Sequence, residues 1–116
     1  MARGDILLVD LPSSDGREQS GRRPAIAAQT NILGEPMLMV APVTSSLAAL
    51  NYKFALRVEP SPENGLKKTS VIMVFQMKAI DKRRIVRHLG RLSAEDMARM
   101  DAEIWRMLRP DDTDAR

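Results

Sequence analysis

Short apolar runs recur along most of this chain with only turn-length polar breaks between them, and helical periodicity appears once, near the far end. That order calls for strands joined by short connections and one late helix, a mostly β, antiparallel fold forming a small barrel. The expected strands are 6–11, 25–30, 37–43, 53–59, 69–77 and a short one at 85–89. Ile6 to Leu11 is almost continuously aliphatic. Lys53 to Glu59 alternates instead, Phe54, Leu56 and Val58 against Lys53, Ala55, Arg57 and Glu59, as a half-buried strand requires. Pro12 to Gly16, Asn31 to Pro36 and Pro60 to Lys68 carry turn chemistry. Ser93 is a suitable N-cap with Glu95 and Asp96 in the first turn, and Met97, Met100, Ile104, Met107 and Leu108 fall at helical spacing.

At 116 residues the chain fits one domain, expected over 1–110, with a short acidic tail at 111–116 expected to be disordered. An aromatic fraction of 3% and eight methionines imply an aliphatic, adaptable core or interface. The formal charge is +3; without the tail's three acids and one base the body holds 17 basic and 12 acidic residues, or +5. Such a balance suits nucleic acid or an acidic protein partner, and equally an ordinary basic surface. No apolar run is long enough to span a membrane. The start, Met1-Ala2-Arg3-Gly4-Asp5, enters a strand pattern with no signal-peptide apolar region, and there is no cysteine, so a reducing cytoplasm is the expected location.

His88 is the only histidine, which excludes a metal site built from several histidines, and it sits among Arg83, Arg84, Arg87 and Arg91 as a solvated residue would. No phosphate-binding glycine loop or nucleophile elbow appears, and no cofactor or metal is expected. What remains is the polar stretch Gly16-Arg17-Glu18-Gln19-Ser20-Gly21-Arg22-Arg23-Pro24, running into Ala25-Ile26-Ala27-Ala28, and the strand end Val40-Ala41-Pro42-Val43-Thr44-Ser45. Pro24 pre-sets its own backbone and biases Arg23 towards extended geometry. A permanently charged, forked guanidinium at a strand entrance suits a phosphoryl group. From spacing alone Arg23 reads equally as a structural arginine, and Thr44 as a strand-end hydroxyl bonding local backbone.

The order Arg23-Pro24-strand, Pro42-Val43-Thr44-Ser45, then Gln76 and Ile80-Asp81-Lys82 resembles the MazF/PemK family of bacterial toxins, the mRNA interferases, over residues 3–108. The resemblance implies an SH3-like barrel of the MazF/PemK/CcdB type. It also implies a homodimer, an acidic and partly disordered antitoxin as partner, and metal-independent cleavage of single-stranded RNA at short sequences to 2′,3′-cyclic phosphate and 5′-hydroxyl ends. Matched position for position, it makes Arg23 and Thr44 the catalytic pair. Glu18 and Gln19 match the family's Glu-Gln pair, and Gln76 and Lys78 match on strand five. Arg22, Ser45, Tyr52, Lys53, Gln76 and Lys78 are candidate RNA-binding or supporting residues, with Arg17, Lys67 and Lys68 as further backbone-tracking cations. Tyr52 and Phe54 are candidate base-stacking rings.

One departure stands out. Many relatives have an acid immediately before the strand-five glutamine, and the PemK branch has an arginine two positions earlier; this chain has Phe75 and Met73. Period two would place Val71, Met73, Phe75 and Met77 on one face and Gln76 and Lys78 on the other, so Met73 and Phe75 are expected at a dimer interface. The alternatives are a non-enzymatic CcdB-like toxin that binds gyrase, a family member that binds RNA or antitoxin without cleaving, and an unrelated RNA-binding barrel.

Overall fold

The aliphatic run at 6–11 becomes a strand buried on both faces, which is why it shows no polar alternation. In the computed structural model, which describes residues 1–11 and 21–109, Ile6 joins an apolar cluster with Ile26, Ala41, Val43, Leu56, Ile72 and Val74. Leu7, Val9 and Leu11 join another with Ala25, Ala27, Leu38, Val40 and Ile80. The strands are β1 (Asp5–Leu11), β2 (Gly21–Ala27), β3 (Met37–Thr44), β4 (Ala55–Val58), β5 (Ser70–Met73), β6 (Lys78–Asp81) and β7 (Ile85–Arg91), followed by α1 (Ala94–Leu108). Residues 12–20 and 110–116, including Glu18, Gln19 and the acidic tail, lie outside the described residues.

All pairings are antiparallel, in the order β4-β5-β3-β2-β1-β7, with β6 beside β5 along β3. The expected mostly β, antiparallel architecture with one C-terminal helix is what forms; β4 and β7 stand at the two ends of the sheet and do not pair with each other, so it is open along that edge. The connection after β4 spans that opening. The Arg91 N–H donates to the Glu63 carbonyl at 2.9 Å. Asn64, only 3% exposed, holds the connection in shape: its Oδ1 accepts from the Ser61 and Leu66 N–H groups at 2.9 and 3.0 Å, and its Nδ2 donates to the Glu59 carbonyl at 2.8 Å. The approach is so close that a Cβ on Gly90 would lie 2.4 Å from the Glu63 oxygen, and one on Gly65 2.3 Å from the Leu89 oxygen.

Strand five differs most from expectation. β3 pairs Val43 with Ile72 of β5 but Val40 with Lys78 of β6, so three residues of advance on β3 face six on the other side. The three surplus residues form a single 3-10 turn, Val74–Gln76, and the period-two pattern projected through 69–77 stops at Met73. Met73 is 2% exposed and packs with Ala49 and Val71, which corrects its expected place at an interface. Phe75 stacks on Tyr52 with ring centroids 4.8 Å apart. Strand four is shorter than 53–59, because Phe54 adopts φ +60° and its carbonyl accepts from the Phe75 N–H at 3.1 Å. Phe54 itself packs against the Ile6 cluster, so it is a core ring and no stacking platform. β2 begins and ends earlier than 25–30, because its N-terminal half pairs with β1 down to Leu11↔Gly21.

The Ser93 Oγ accepts from the Asp96 N–H at 3.0 Å and caps α1 as anticipated. Met100 is fully buried, and Met97, Ile104 and Met107 pack on the Ile6 cluster. Leu108, expected on the same stripe, is 66% exposed: it is the last helical residue, past the packed turn.

Candidate nucleic-acid cleft

β2 and β3 run side by side only from Ala25↔Pro42 to Ala27↔Val40. Beyond that point Pro24 has no N–H to give to β3, while Val43 and Thr44 stay paired with β5 on the other edge of β3. The strand ends therefore splay, and a cleft of about 350 Å³ opens between them. Arg23, Pro24, Thr44 and Ser45 line it, so the structure brings the two expected catalytic residues into one site. The connection after β4, the start of β5 and strand β7 supply the facing wall through Leu66, Lys67, Lys68, Ser70, Arg87 and Leu89.

The electrostatics are one-sided. Arg22, Arg23, Lys67, Lys68 and Arg87 all line the cleft, and no carboxylate does among the described residues. Five cations converging on one concavity favour a polyanion and attract it from solution. Thr44 is 5% exposed, and its Oγ1 accepts from the Ser46 N–H at 3.1 Å. That bond occupies a lone pair and leaves the hydroxyl proton free to be donated into the cleft. The local-backbone reading of Thr44 and its use as a donor are therefore compatible.

Other expected residues fall elsewhere. Gln76 and Lys78, with Phe75 and Met77, line a separate shallow depression of about 230 Å³. Tyr52, 46% exposed, stacks over Phe75 beside it, and exposed Lys53 follows Tyr52 in the chain. His88 does not line the cleft; its Nε2 lies 3.6 Å from Asp5 Oδ2. Asp5 is nearly buried: burial pushes its carboxyl up, but hydrogen bonds from the Ala2 N–H and Arg91 and the charges of His88 and Arg91 outweigh that and hold it below its usual range. Sequence reasoning missed Arg87 as a cleft residue, since it sits in a basic run that reads as a solvated face; only the register Leu8↔Arg87, with Leu8 also lining the cleft, brings it to the site. Among the described residues no group of three His, Cys, Asp or Glu is placed to hold a metal ion, and no helix is long and apolar enough to cross a membrane.

An open antiparallel sheet with a late helix, presenting a guanidinium and a hydroxyl at splayed strand ends among further cations, defines a small β protein with a cationic cleft. The chain belongs to the family of PemK-like, MazF-like toxins of type II toxin–antitoxin systems, whose model matches residues 2–108. It is 32% identical over 108 residues to endoribonuclease MazF9 of Mycobacterium tuberculosis, covering 87% of this chain and 90% of that protein. It is likewise 32% identical over 106 residues to endoribonuclease MazF of Staphylococcus saprophyticus, covering 90% and 88%. Among solved structures, MazF of Deinococcus radiodurans matches with a TM-score of 0.75 at 23% identity, over 93% of this chain and 96% of that one. A MazE–MazF structure from the same organism matches with a TM-score of 0.68 at 23% identity, over 93% and 95%. These two likenesses concern the fold.

Proposed function

We propose that this chain is the toxin of a toxin–antitoxin pair and acts as a metal-independent, sequence-selective endoribonuclease on single-stranded RNA in the cytoplasm. The observation that carries the reading is the placement of Arg23 and Thr44 in one cleft whose other described charges are all positive. RNA supplies its own nucleophile. The 2′-oxygen attacks the adjacent phosphorus, the bond from phosphorus to the 5′-oxygen breaks, and the products are a 2′,3′-cyclic phosphate and a 5′-hydroxyl. Because attack is intramolecular, the protein contributes in-line positioning and charge stabilisation. Arg23 stabilises the pentacovalent phosphorane. Thr44 donates to the same phosphoryl group. The 2′-hydroxyl proton leaves to a base outside this pair, since a guanidinium stays protonated, and the departing 5′-oxygen gains one.

The cations at Arg22, Lys67, Lys68 and Arg87 hold the flanking phosphates, with Ser45 at the rim. Tyr52, stacked on Phe75, offers a ring face to a base, with Lys53, Gln76 and Lys78 near it and Glu18 and Gln19 contributing from the polar loop. The same positive cleft suits the acidic segment of an antitoxin, which would compete with RNA for it, and the active form is a homodimer. A CcdB-like protein-binding toxin would have no need of the Arg23–Thr44 pair.

The test is cleavage of a long single-stranded transcript by purified protein in EDTA, beside Arg23→Ala and Thr44→Ala. Discrete fragments ending in 2′,3′-cyclic phosphate are expected, with rates lower by about a hundred-fold or more in each variant. Folded, antitoxin-free wild-type protein that leaves the transcript intact would refute the enzymatic reading.

A further inference from the structure

The cationic surface does not stop at the cleft between β2 and β3. Arg22 lines a second concavity, of about 420 Å³, whose other walls are Asp10, Asp81, Arg83, Arg84 and Val86. Asp10 and Arg22 are directly opposed in the β1–β2 ladder, so their side chains leave the sheet on the same side. Arg84 comes from the single turn Lys82–Arg84 between β6 and β7, and its Nη1 donates to the Asp10 carbonyl at 3.4 Å.

That turn is fixed from within. The Asp81 carboxylate accepts from the Arg83 N–H at 2.9 Å and from its guanidinium Nη2 at 2.9 Å. The two side chains thus largely neutralise each other, and the Asp81 carboxyl is held down to about 2 by the hydrogen bonds from the Arg83 side chain and N–H. What this leaves for a ligand is Arg22, Arg84 and the Asp10 carboxylate. Arg22 is exposed and its side chain makes no hydrogen bond or ion pair among the described residues, while Arg84 makes one long hydrogen bond and its charge also acts on Asp81. Two guanidiniums suit a phosphate, while a carboxylate beside them repels phosphate and accepts from an amine. A concavity of this size and mixed polarity fits one nucleotide unit.

We propose that this second concavity is a subsite for a nucleotide flanking the scissile one. Arg22 and Arg84 hold its phosphate, and Asp10 accepts from an exocyclic amino group of its base. One RNA strand then passes from Arg23 and Thr44 over Arg22, the residue common to both concavities, and Asp10 is a specificity determinant that favours bases carrying an amino donor. The proposal rests on the endoribonuclease reading for its ligand.

The test compares Arg84→Ala and Asp10→Asn with wild-type protein on two oligonucleotides, one limited to the cleaved step and one extended by several nucleotides on both sides. Cleavage is read as separate kcat and KM. Binding is read independently with 2′-deoxy-substituted copies that cannot be cut. For Arg84→Ala we expect kcat/KM on the extended oligonucleotide to fall about ten-fold through KM. Its binding should lose about 0.7 from the slope of log affinity against log salt, and the loss should be confined to the extended oligonucleotide. Asp10→Asn should weaken the preference for an amino-bearing base at one flanking position. Equal effects on both oligonucleotides, or none on either, would overturn the subsite. If wild-type protein cuts neither, the endoribonuclease reading fails, and the binding comparison still decides the subsite.

Discussion

Gly90 is where the open sheet is sealed, and replacing it with alanine isolates that contact. The new Cβ would meet the Glu63 oxygen at 2.4 Å and the Asn64 carbonyl carbon at 2.5 Å, all backbone atoms with no rotamer to yield. Relief requires the connection after β4 to move off β7. Overpacking of this kind typically costs about 1–3 kcal/mol. Displacement also endangers the Arg91-to-Glu63 hydrogen bond, worth about 1 kcal/mol. The sum, about 2–4 kcal/mol, is a large share of a small domain's stability. At roughly 4 °C per kcal/mol for a chain of this size, Tm should fall by about 8–16 °C. Gly34→Ala is the control: its φ is +87°, but a Cβ there meets nothing within 4 Å, so only backbone strain of about 1 kcal/mol applies. Because Gly65, Leu66, Lys67 and Lys68 line the cleft, Gly90→Ala should also lower RNA affinity at temperatures where the protein remains folded. Calorimetry of both variants with an RNA-binding titration decides. If Gly90→Ala melts no lower than Gly34→Ala, the sealing role of this contact is wrong.

Met73→Ala should destabilise by about 2–5 kcal/mol in urea unfolding, as a core truncation does and an exposed interface residue would not. Ser93→Ala removes the N-cap and should cost about 1 kcal/mol by the same measurement. Thr44→Ser keeps a hydroxyl at the strand end and should retain far more RNA cleavage than Thr44→Ala, in an end-labelled assay. Asp5→Asn tests the buried carboxylate. Its folded pKa is depressed, so its stabilisation is present above the ordinary value of 3.8 and is lost as pH falls through the lower folded value. The variant should therefore be less stable than wild type at pH 7, with the gap narrowing below pH 4 in urea melts.

The elements legible in the sequence are those whose pattern is set by their own residues. β1 and β3 are aliphatic because both faces are buried, and α1 carries its cap and its stripe within a few turns of chain. The break at Val74–Gln76 could not be read the same way. The run Thr69 to Met77 contains neither glycine nor proline, so nothing local announces an interruption. Its cause is non-local: β3 must pair with Ser70–Met73 on one stretch and Lys78–Asp81 on another, and the surplus is taken up as a turn. β6 was hidden for the same reason, and with it the reassignment of Met73 to the core.

The site divides along the same line. Arg23 and Thr44 were legible because a proline stands near each strand end, and one of the two, Pro24, lies just past the end of the β2–β3 ladder and lines the cleft. At Pro24 sequence marker and cavity thus have one physical origin, a missing N–H donor. Lys67, Lys68 and Arg87 carry no such marker. Arg87 reaches the cleft through its register with Leu8, and Lys67 and Lys68 because Gly65 and Gly90 let the connection after β4 press against β7, where a side chain would collide with backbone on either partner. A charge gains a site here only through a register or a close approach made by other residues. It follows that the catalytic pair and the phosphate-holding cations should respond differently to perturbation. Loosening the β4–β7 seal should weaken RNA binding while leaving the Arg23–Thr44 geometry, fixed by β2 and β3, intact. For a variant such as Gly90→Ala, that is a rise in KM with kcat preserved on RNA. A fall in kcat at constant KM would mean that the seal, and not the strand splay, sets the catalytic geometry.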